Sequence, residues 1–385
     1  MFLRFLSILA FIGFISSCSN SSTADKTEKE YSWPFASFQK VDSANPVLTA
    51  DSSLTFTDPI LKHKVQWAAK DVFNPAAVVR HDTIFLLFRA EDEIGKYAGT
   101  SRIGLAWSTD GLHFQKYFEP VLYPENDAYK TLEWEGGCED PRVVEDANGI
   151  YYMTYTAYDG DKARLMEASS PDLFHWTKHG LAFANSTNDK YEKGWSKSGS
   201  IVSAYQNDGK IVATKIDGRY WMYWGDQNIW VATSDDLIHW TPVQRKQEED
   251  TVENVRGIAK DFSELKTVIA PRKKKFDSDL VESGPPAMIT DSGILLMYNS
   301  RNIPSIGDTS LAEGTYAAGQ VLFDKNDPTK VIKRMDNYFI KPEKPYEISG
   351  QVNRVCFIEG LVHYKEKWFL YYGTADSKIA VAVMK

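Results

Sequence analysis

The chain is poor in the residues that build metal sites and covalent frameworks. It holds three cysteines and seven histidines among 385 residues. Nowhere do they fall into a Cys/His ligand spacing or an H-E-x-x-H pattern, so no metal or other cofactor is expected. Positive charge is also short: 44 Lys and Arg face 52 Asp and Glu, a formal net charge of −8. Nucleic-acid phosphates need a basic surface, so that class of partner is excluded. Past the N-terminus no apolar run is long enough to span a bilayer. Helical periodicity is scarce too. What is abundant is aromatic side chains, 13% of residues with 11 Trp and 20 Tyr, which suits β-structure and ring-stacking surfaces.

The first residues read as a targeting segment. MFLRFLSILAFIGFISSC has Arg4, an apolar run, then small residues before Cys18, the order of a secretory signal. Its Ile15-Ser16-Ser17-Cys18 ending resembles a bacterial lipobox. The expectation is a signal peptide over 1–17 and an exported lipoprotein anchored to the membrane through a lipid on Cys18. Residues 18–30 form a polar flexible tether, and one domain covers 31–385. Export permits Cys138 and Cys356 to pair, but nothing in their spacing demands it, and two buried free thiols are expected.

A repeat sets the architecture. One strand-like run occurs five times: TIFLLFRAED (83–92), IYYMTYTAYD (150–159), RYWMYWGDQN (219–228), GILLMYNSRN (293–302) and KWFLYYGTAD (367–376). Phe88, Tyr155, Tyr223, Tyr298 and Tyr372 mark equivalent positions at steps of 67, 68, 75 and 74 residues. Turns DGLHF (110–114), DLFHW (172–176) and DLIHW (236–240) follow the first three runs, each ending in an aromatic suited to staple an edge. Five multi-stranded units of nearly equal length predict an all-β, five-bladed β-propeller. These runs are expected to be the innermost strands lining the central axis, so their polar ends, Glu91, Asp92, Asp159, Asp226, Arg301, Asn302 and Asp376, converge on one pocket. Closure is expected to join the two ends of the chain through Ile379 to Val383.

Residues 134–144, WEGGCEDPRVV, place Glu139 and Asp140 beside a proline and Arg142, just before the second run. With DVFNPAAVV (71–79), FRAED (88–92), SRIGLAWSTDG (101–111), SKSGSIV (196–202), IWVATSDDLIHW (229–240), ESGPPAMI (282–289) and GLVHYKEKWFLYYGTAD (360–376), this stretch resembles glycoside hydrolase family 130. Those enzymes cleave β-mannosides, and the stretches follow the family's order along nearly the whole chain. GCEDPR followed by YYMTYTAYD carries the specificity. The resemblance implies an exo-acting site for a terminal mannose, with Asp140 as the acid that protonates the leaving oxygen through a substrate hydroxyl. A carboxyl shielded beside Glu139 is expected to keep a raised pKa.

The family contains phosphorylases, which attack with phosphate, and hydrolases, which attack with water. Phosphate needs cations around it, whereas water needs a carboxylate to take its proton. Phosphorylase members resemble one another in a Leu-His-Arg ending on the third run and Tyr-His-Gly on the fourth. Here those positions read Tyr223-Trp224-Gly225-Asp226 and Tyr298-Asn299-Ser300. Two cationic positions are neutral or acidic, and Glu282 adds a carboxylate. The pattern points to an inverting β-mannosidase acting on β-1,2-linked mannosides, with Glu282 and Asp226 as competing bases. Lys197 and Arg354 keep a phosphorylase open.

Asn74, Arg89, Asp92 and Arg102 match positions expected to grip sugar hydroxyls. Glu139, Arg142, Tyr158, Asp159, Lys197, Trp224, Asn299, Arg354 and Asp376 complete the expected binding set. Trp134, Trp195 and Trp224 are candidate stacking faces. His63, His81 and His179 have no ligand spacing and receive no role, and PRKKKF (271–276) reads as an exposed loop. Rival readings are a β-mannoside phosphorylase, an arabinanase-like glycosidase and a non-catalytic glycan-binding lipoprotein.

Overall fold

The computed structural model describes residues 33–35, 38–94, 99–186, 189–246 and 262–384. The expected signal peptide, tether and Cys18 lie outside the described residues. The chain is all-β. Its three described helices are four or five residues long, and none is long and apolar enough to cross a membrane.

Strand pairing divides the chain into five successive antiparallel units. The first is Asp71–Arg80, Thr83–Glu91, Ser101–Ser108 and Gln115–Lys116. The second is Gly137–Glu145, Tyr151–Tyr158, Ala163–Ser170 and Thr177–Leu181. Ser200–Tyr205, Tyr220–Trp224, Ile229–Ser234 and Thr241–Pro242 form the third. The fourth opens with Leu280–Ser283 and Ala287–Thr290 laid end to end on Gly293–Arg301, followed by Tyr316–Phe323 and Val331–Arg334. Cys356–Tyr364, Lys367–Thr374 and Lys378–Met384 make the fifth. Its outermost strand comes from the other end of the chain: Gln39 pairs with Val383 and Lys40 with Ala382.

The repeated aromatic runs are therefore second strands, not innermost ones. The strand before each run makes the contacts between units. Val202 and Ser203 pair in parallel with Ala287 and Met288, and Val212, beside the third unit's first strand, pairs with Glu145. The expectation that these runs are the strands nearest a shared pocket is thus corrected: they stand one strand away from those that meet between units. Both faces of these runs are covered, and a strand covered on both faces needs no alternation.

The five equivalent ring positions are all fully buried, and three of them do the same electrostatic work. Tyr155, Tyr298 and Tyr372 donate their hydroxyls to Glu133, Asp277 and Glu347, each at 2.8 Å. Each carboxylate also meets a cation from its unit's outermost strand: Lys178 at 2.6 Å, Arg334 at 2.6 Å and Lys40 at 2.7 Å. A buried carboxylate is costly without such partners. Here it ties the short outer strand to the second strand across the unit. Cys138 and Cys356 lie beside Glu133 and Glu347 in their respective units, and both are free and buried.

The turns after the first three runs share one geometry. Ser108, Ser170 and Ser234 accept backbone N–H bonds, while Asp110, Asp172 and Asp236 bind the Nδ1 of His113, His175 and His239 at 2.7 to 2.8 Å. The terminal aromatics do pack: Phe114 meets Tyr371 of the fifth unit edge-on at 5.6 Å, and Trp240 is buried.

Removing one hydroxyl from these triads leaves a buried carboxylate short of a donor. Tyr155→Phe and Tyr372→Phe are each expected to destabilise the fold by about 1–3 kcal/mol. Urea or thermal unfolding reads this as a lowered midpoint; unchanged midpoints would show that the tyrosine hydroxyls carry no stability.

Candidate active site

The first strand of four units is broken, and in the third the irregularity falls just before it; these points aim polar side chains toward neighbouring units. In the first unit the register slips between Phe73 and Pro75, leaving Asn74 at φ +47°. In the second it slips between Glu139 and Arg142, leaving Asp140 at φ +49°. Ser198, at φ +61°, stands just before the third unit's first strand. The fourth is interrupted between Ser283 and Ala287, and the fifth slips across Glu359. A glycine or proline follows each: Pro75, Pro141, Gly199, Gly284 and Gly360. Proline offers no ladder N–H and glycine no side chain to pack, so these residues mark bulges that re-aim a strand. Close approach matters as well. A Cβ on Gly373 would lie 2.3 Å from Asn74 Oδ1.

Asp140 is the meeting point. Its carboxylate accepts from Asn74 Nδ2 at 2.9 Å and lies 3.2 Å from Lys197 Nζ and 3.4 Å from Arg89 Nη1. Arg89 also reaches Glu91 at 2.7 Å and Glu139 at 2.9 Å, with its guanidinium over the Phe73 ring. Glu282 accepts a hydrogen bond from Ser198 Oγ, and Asp226 accepts one from Trp195 Nε1 at 2.8 Å.

Burial and charge divide these acids. Burial alone would raise Asp140, but Lys197, Arg89 and Asn74 outweigh it and hold the carboxyl well below the usual range. The expected raised value for Asp140 is thus corrected, because Lys197 and Arg89 both lie within 3.4 Å of it and Asn74 donates to it as well. Burial wins elsewhere. It pushes Glu139 up to about 7 against Arg89 and Lys197. It also pushes Glu282 to about 7 against Lys197, with Asp226 adding to the rise, and Asp376 to about 7 against Arg89. Asp226 is raised by burial, with Lys197 opposing.

Asn74, Arg89, Glu139, Asp140, Lys197, Asp226, Glu282 and Asp376 therefore share one electrostatic site. Other expected residues are engaged in contacts of their own. Arg102 is fully buried, gripped by Asp92 at 2.6 Å and Asp58 at 2.7 Å, so this pair braces the fold instead of facing a sugar. Both ends of the Asn299 amide are taken by the Ile358 backbone. Trp224 is fully buried against Phe183 and Trp230 and presents no stacking face. Asp159 closes the turn at Asp161 and Lys162 and pairs with Arg164, while the Tyr158 hydroxyl bonds the Gly160 carbonyl of the same turn. Of the other polar ends, Asn302 holds a loop through Asp308, and Arg301 pairs with Asp279. Arg354 is exposed, its carbonyl bonded to Tyr316 N.

Arg142 is buried beneath the site. It donates to the carbonyls of Gly284, Ser283 and Asp140 and pairs with Glu359. Reading the sequence missed Glu359, Ser198 and Tyr316, whose hydroxyl is pushed up by burial and by the nearby Glu282. The repeated polar-then-Gly/Pro pattern in the first strands was the available signal for Glu359 and Ser198. Among the described residues no three His, Cys, Asp or Glu side chains are placed to share a metal ion.

A family model of glycoside hydrolase family 130, described as beta-1,4-mannooligosaccharide phosphorylase, matches residues 40–385. The 1,2-beta-oligomannan phosphorylase of Thermoanaerobacter sp. (strain X514) is 29% identical over 338 residues, 85% of this chain and 95% of that protein. The structure of a putative glycosidase from Bacteroides thetaiotaomicron VPI-5482 is 46% identical with a TM-score of 0.85, covering 91% of this chain and 97% of that one. A further structure is 45% identical with a TM-score of 0.84, over 93% of this chain and 97% of that one. It was reported with the finding that the family of mannoside phosphorylases contains glycoside hydrolases that target beta-1,2 mannosidic linkages in Candida mannan.

The raised carboxyls make stability depend on pH. Between the ordinary glutamate value of 4.5 and about 7, the folded protein holds protons at Glu139 and Glu282 that the unfolded chain has released. Stability falls as pH rises through that window. The thermal midpoint is expected to be higher at about pH 5 than at about pH 7.5, and Glu282→Gln to flatten the slope. A midpoint that climbs over this range would sink the assignment.

Proposed function

The chain belongs to glycoside hydrolase family 130, and from that premise we propose that it is an exo-acting, inverting β-mannosidase that hydrolyses β-1,2-linked mannosides. The five units are then the blades of a five-bladed β-propeller, with the broken first strands around its axis. Cys18 carries a lipid that holds the exported protein at the cell envelope.

One observation carries the choice of water over phosphate. The two cations inside the site, Arg89 and Lys197, are already engaged by Glu91, Glu139 and Asp140, and Glu282, Asp226 and Asp376 crowd the same space. A phosphate dianion entering here would find both cations already paired, whereas water would meet a base. The family model and the Thermoanaerobacter relative are named as phosphorylases, and the exposed Arg354 is the cation that such a reading would recruit.

Glu282 is the better base. Ser198 fixes its direction, and a value of about 7 suits proton abstraction near neutrality. Asp226 is turned toward Trp195. Water attacks the anomeric carbon and gives its proton to Glu282. The glycosidic C–O bond breaks, and the leaving oxygen takes a proton relayed through a sugar hydroxyl from Asp140. For Asp140 to carry that proton, the incoming sugar must displace Lys197 from it. Glu139, which shares Arg89 with Asp140, stores a proton close by until then.

With β-1,2-mannobiose, mannose release is expected to be the same with and without phosphate. Asp140→Asn and Glu282→Gln should each lower kcat by about 10²- to 10⁴-fold. In the parent protein kcat/KM should rise with pH through about 7 as Glu282 loses its proton. Residual Glu282→Gln activity that keeps this limb would transfer the base role to Asp226. Mannose-1-phosphate formed only with phosphate would make the enzyme a phosphorylase.

A further inference from the structure

Among the described residues Trp195 is the exposed tryptophan, at 41%, and its position is unusual for a surface indole. Its Nε1–H is spent on Asp226 Oδ2 at 2.8 Å, and Asp226 lies in the field of Lys197 and Asp140. The polar edge of the ring is thus tied to the site while the side chain stays exposed to solvent. Burying Trp195 would remove the water contact that such a ring normally avoids.

The backbone beneath is braced. Tyr191 and Lys190, on the short helix Asp189–Lys193, bind Glu264 at 2.9 and 2.8 Å. Lys162 Nζ reaches the Lys193 carbonyl at 3.1 Å. On the other side, Ser196 N donates to the Ala163 carbonyl and Ser196 Oγ accepts from Leu165 N. The ring is held in place before any ligand arrives, which spares the ordering cost of a mobile side chain.

We infer that Trp195 is the platform on which the leaving-side sugar ring of a mannoside stacks. The inference rests on the β-mannoside reading above but not on whether water or phosphate attacks. Asp140, Glu139 and Glu282 are almost wholly buried, so the terminal ring occupies the depth they line. The next ring, one glycosidic bond outward, meets the mouth where Trp195 stands. Its axial C–H groups then cover an indole face, and its hydroxyls remain near Asp226. Trp195 accordingly selects for a second pyranose and is indifferent to the terminal one.

The test is calorimetric binding to the full-length Asp140→Asn protein, so that nothing turns over. The probes are β-1,2-mannobiose and methyl β-mannoside, which has a single ring. Adding Trp195→Ala should weaken mannobiose about tenfold and leave methyl β-mannoside within about twofold, the loss of one stacked apolar face. Trp195→Phe keeps a ring but no N–H, and should retain most of the mannobiose affinity. Equal losses for both probes, or no loss for either, overturn the platform while leaving the β-mannoside reading intact. A Trp195→Phe protein as weak as Trp195→Ala also overturns it, because the bond to Asp226 would then be what matters. A parent protein that binds neither probe refutes the β-mannoside reading itself, and the platform with it.

Discussion

Arg142 joins three units through one buried side chain. Its guanidinium donates to the carbonyls of Gly284 at 2.9 Å and Ser283 at 2.6 Å, and to the Asp140 carbonyl at 3.2 Å, and pairs with Glu359 at 2.9 Å. The need for it follows from the broken strands. Where a first strand is interrupted, carbonyls lose their ladder partners, and buried carbonyls must be satisfied elsewhere. A guanidinium supplies five donors in a fixed fork and never loses its charge, so it can serve two breaks and a buried acid together. A lysine would reach only one of these. The direction of Asp140 and the placement of Glu282, two residues before Gly284, both follow from this anchorage.

Above Arg142 the site holds more acids than it can ionise. Glu139, Asp140, Asp226, Glu282 and Asp376 share Arg89 and Lys197 as their nearest cations. At Asp140 the combined pull of Lys197, Arg89 and Asn74 outweighs burial, whereas burial prevails at the rest, so protons remain on Glu139, Glu282 and Asp376 up to about pH 7. Such groups titrate together and not as independent sites. The outcome is one firm carboxylate surrounded by carboxyls poised near neutrality, which is the condition for moving protons in both directions at one centre.

Much of this was legible in the chain, and the gaps have physical causes. The repeated runs were found because both their faces are covered, which leaves an unbroken apolar signal. That same signal misled about their position. The strands that meet between units carry polar residues at their breaks and look less like core. Asp140, Glu282 and Lys197 were singled out through motifs that stand apart from any apolar pattern, and Asp226 as the polar end of a repeated run. Arg102, Asn299 and Trp224 were misplaced because a residue buried in an ion pair or a backbone clasp reads the same in one dimension as one that binds a sugar. Glu359 looked like part of an ordinary strand. Only comparison with Asn74-Pro75 and Asp140-Pro141 reveals that Glu359-Gly360 is a break of the same kind.

The breaks and the triads are complementary solutions to a single problem. Each bulge gives up ladder bonds on the inner side of a unit to aim a functional group, which weakens the strand that carries it. In the second, fourth and fifth units, a carboxylate, a tyrosine and a cation lock the second strand to the outermost one on the far side. In the fifth unit that cation is Lys40, from the strand that also joins the two ends of the domain. Tyr372, which anchors this triad, is four residues from Asp376 at the site. The link that joins the two ends of the domain therefore also steadies the strand leading into the site, and the strain of the breaks is confined to the side that holds the clustered carboxyls.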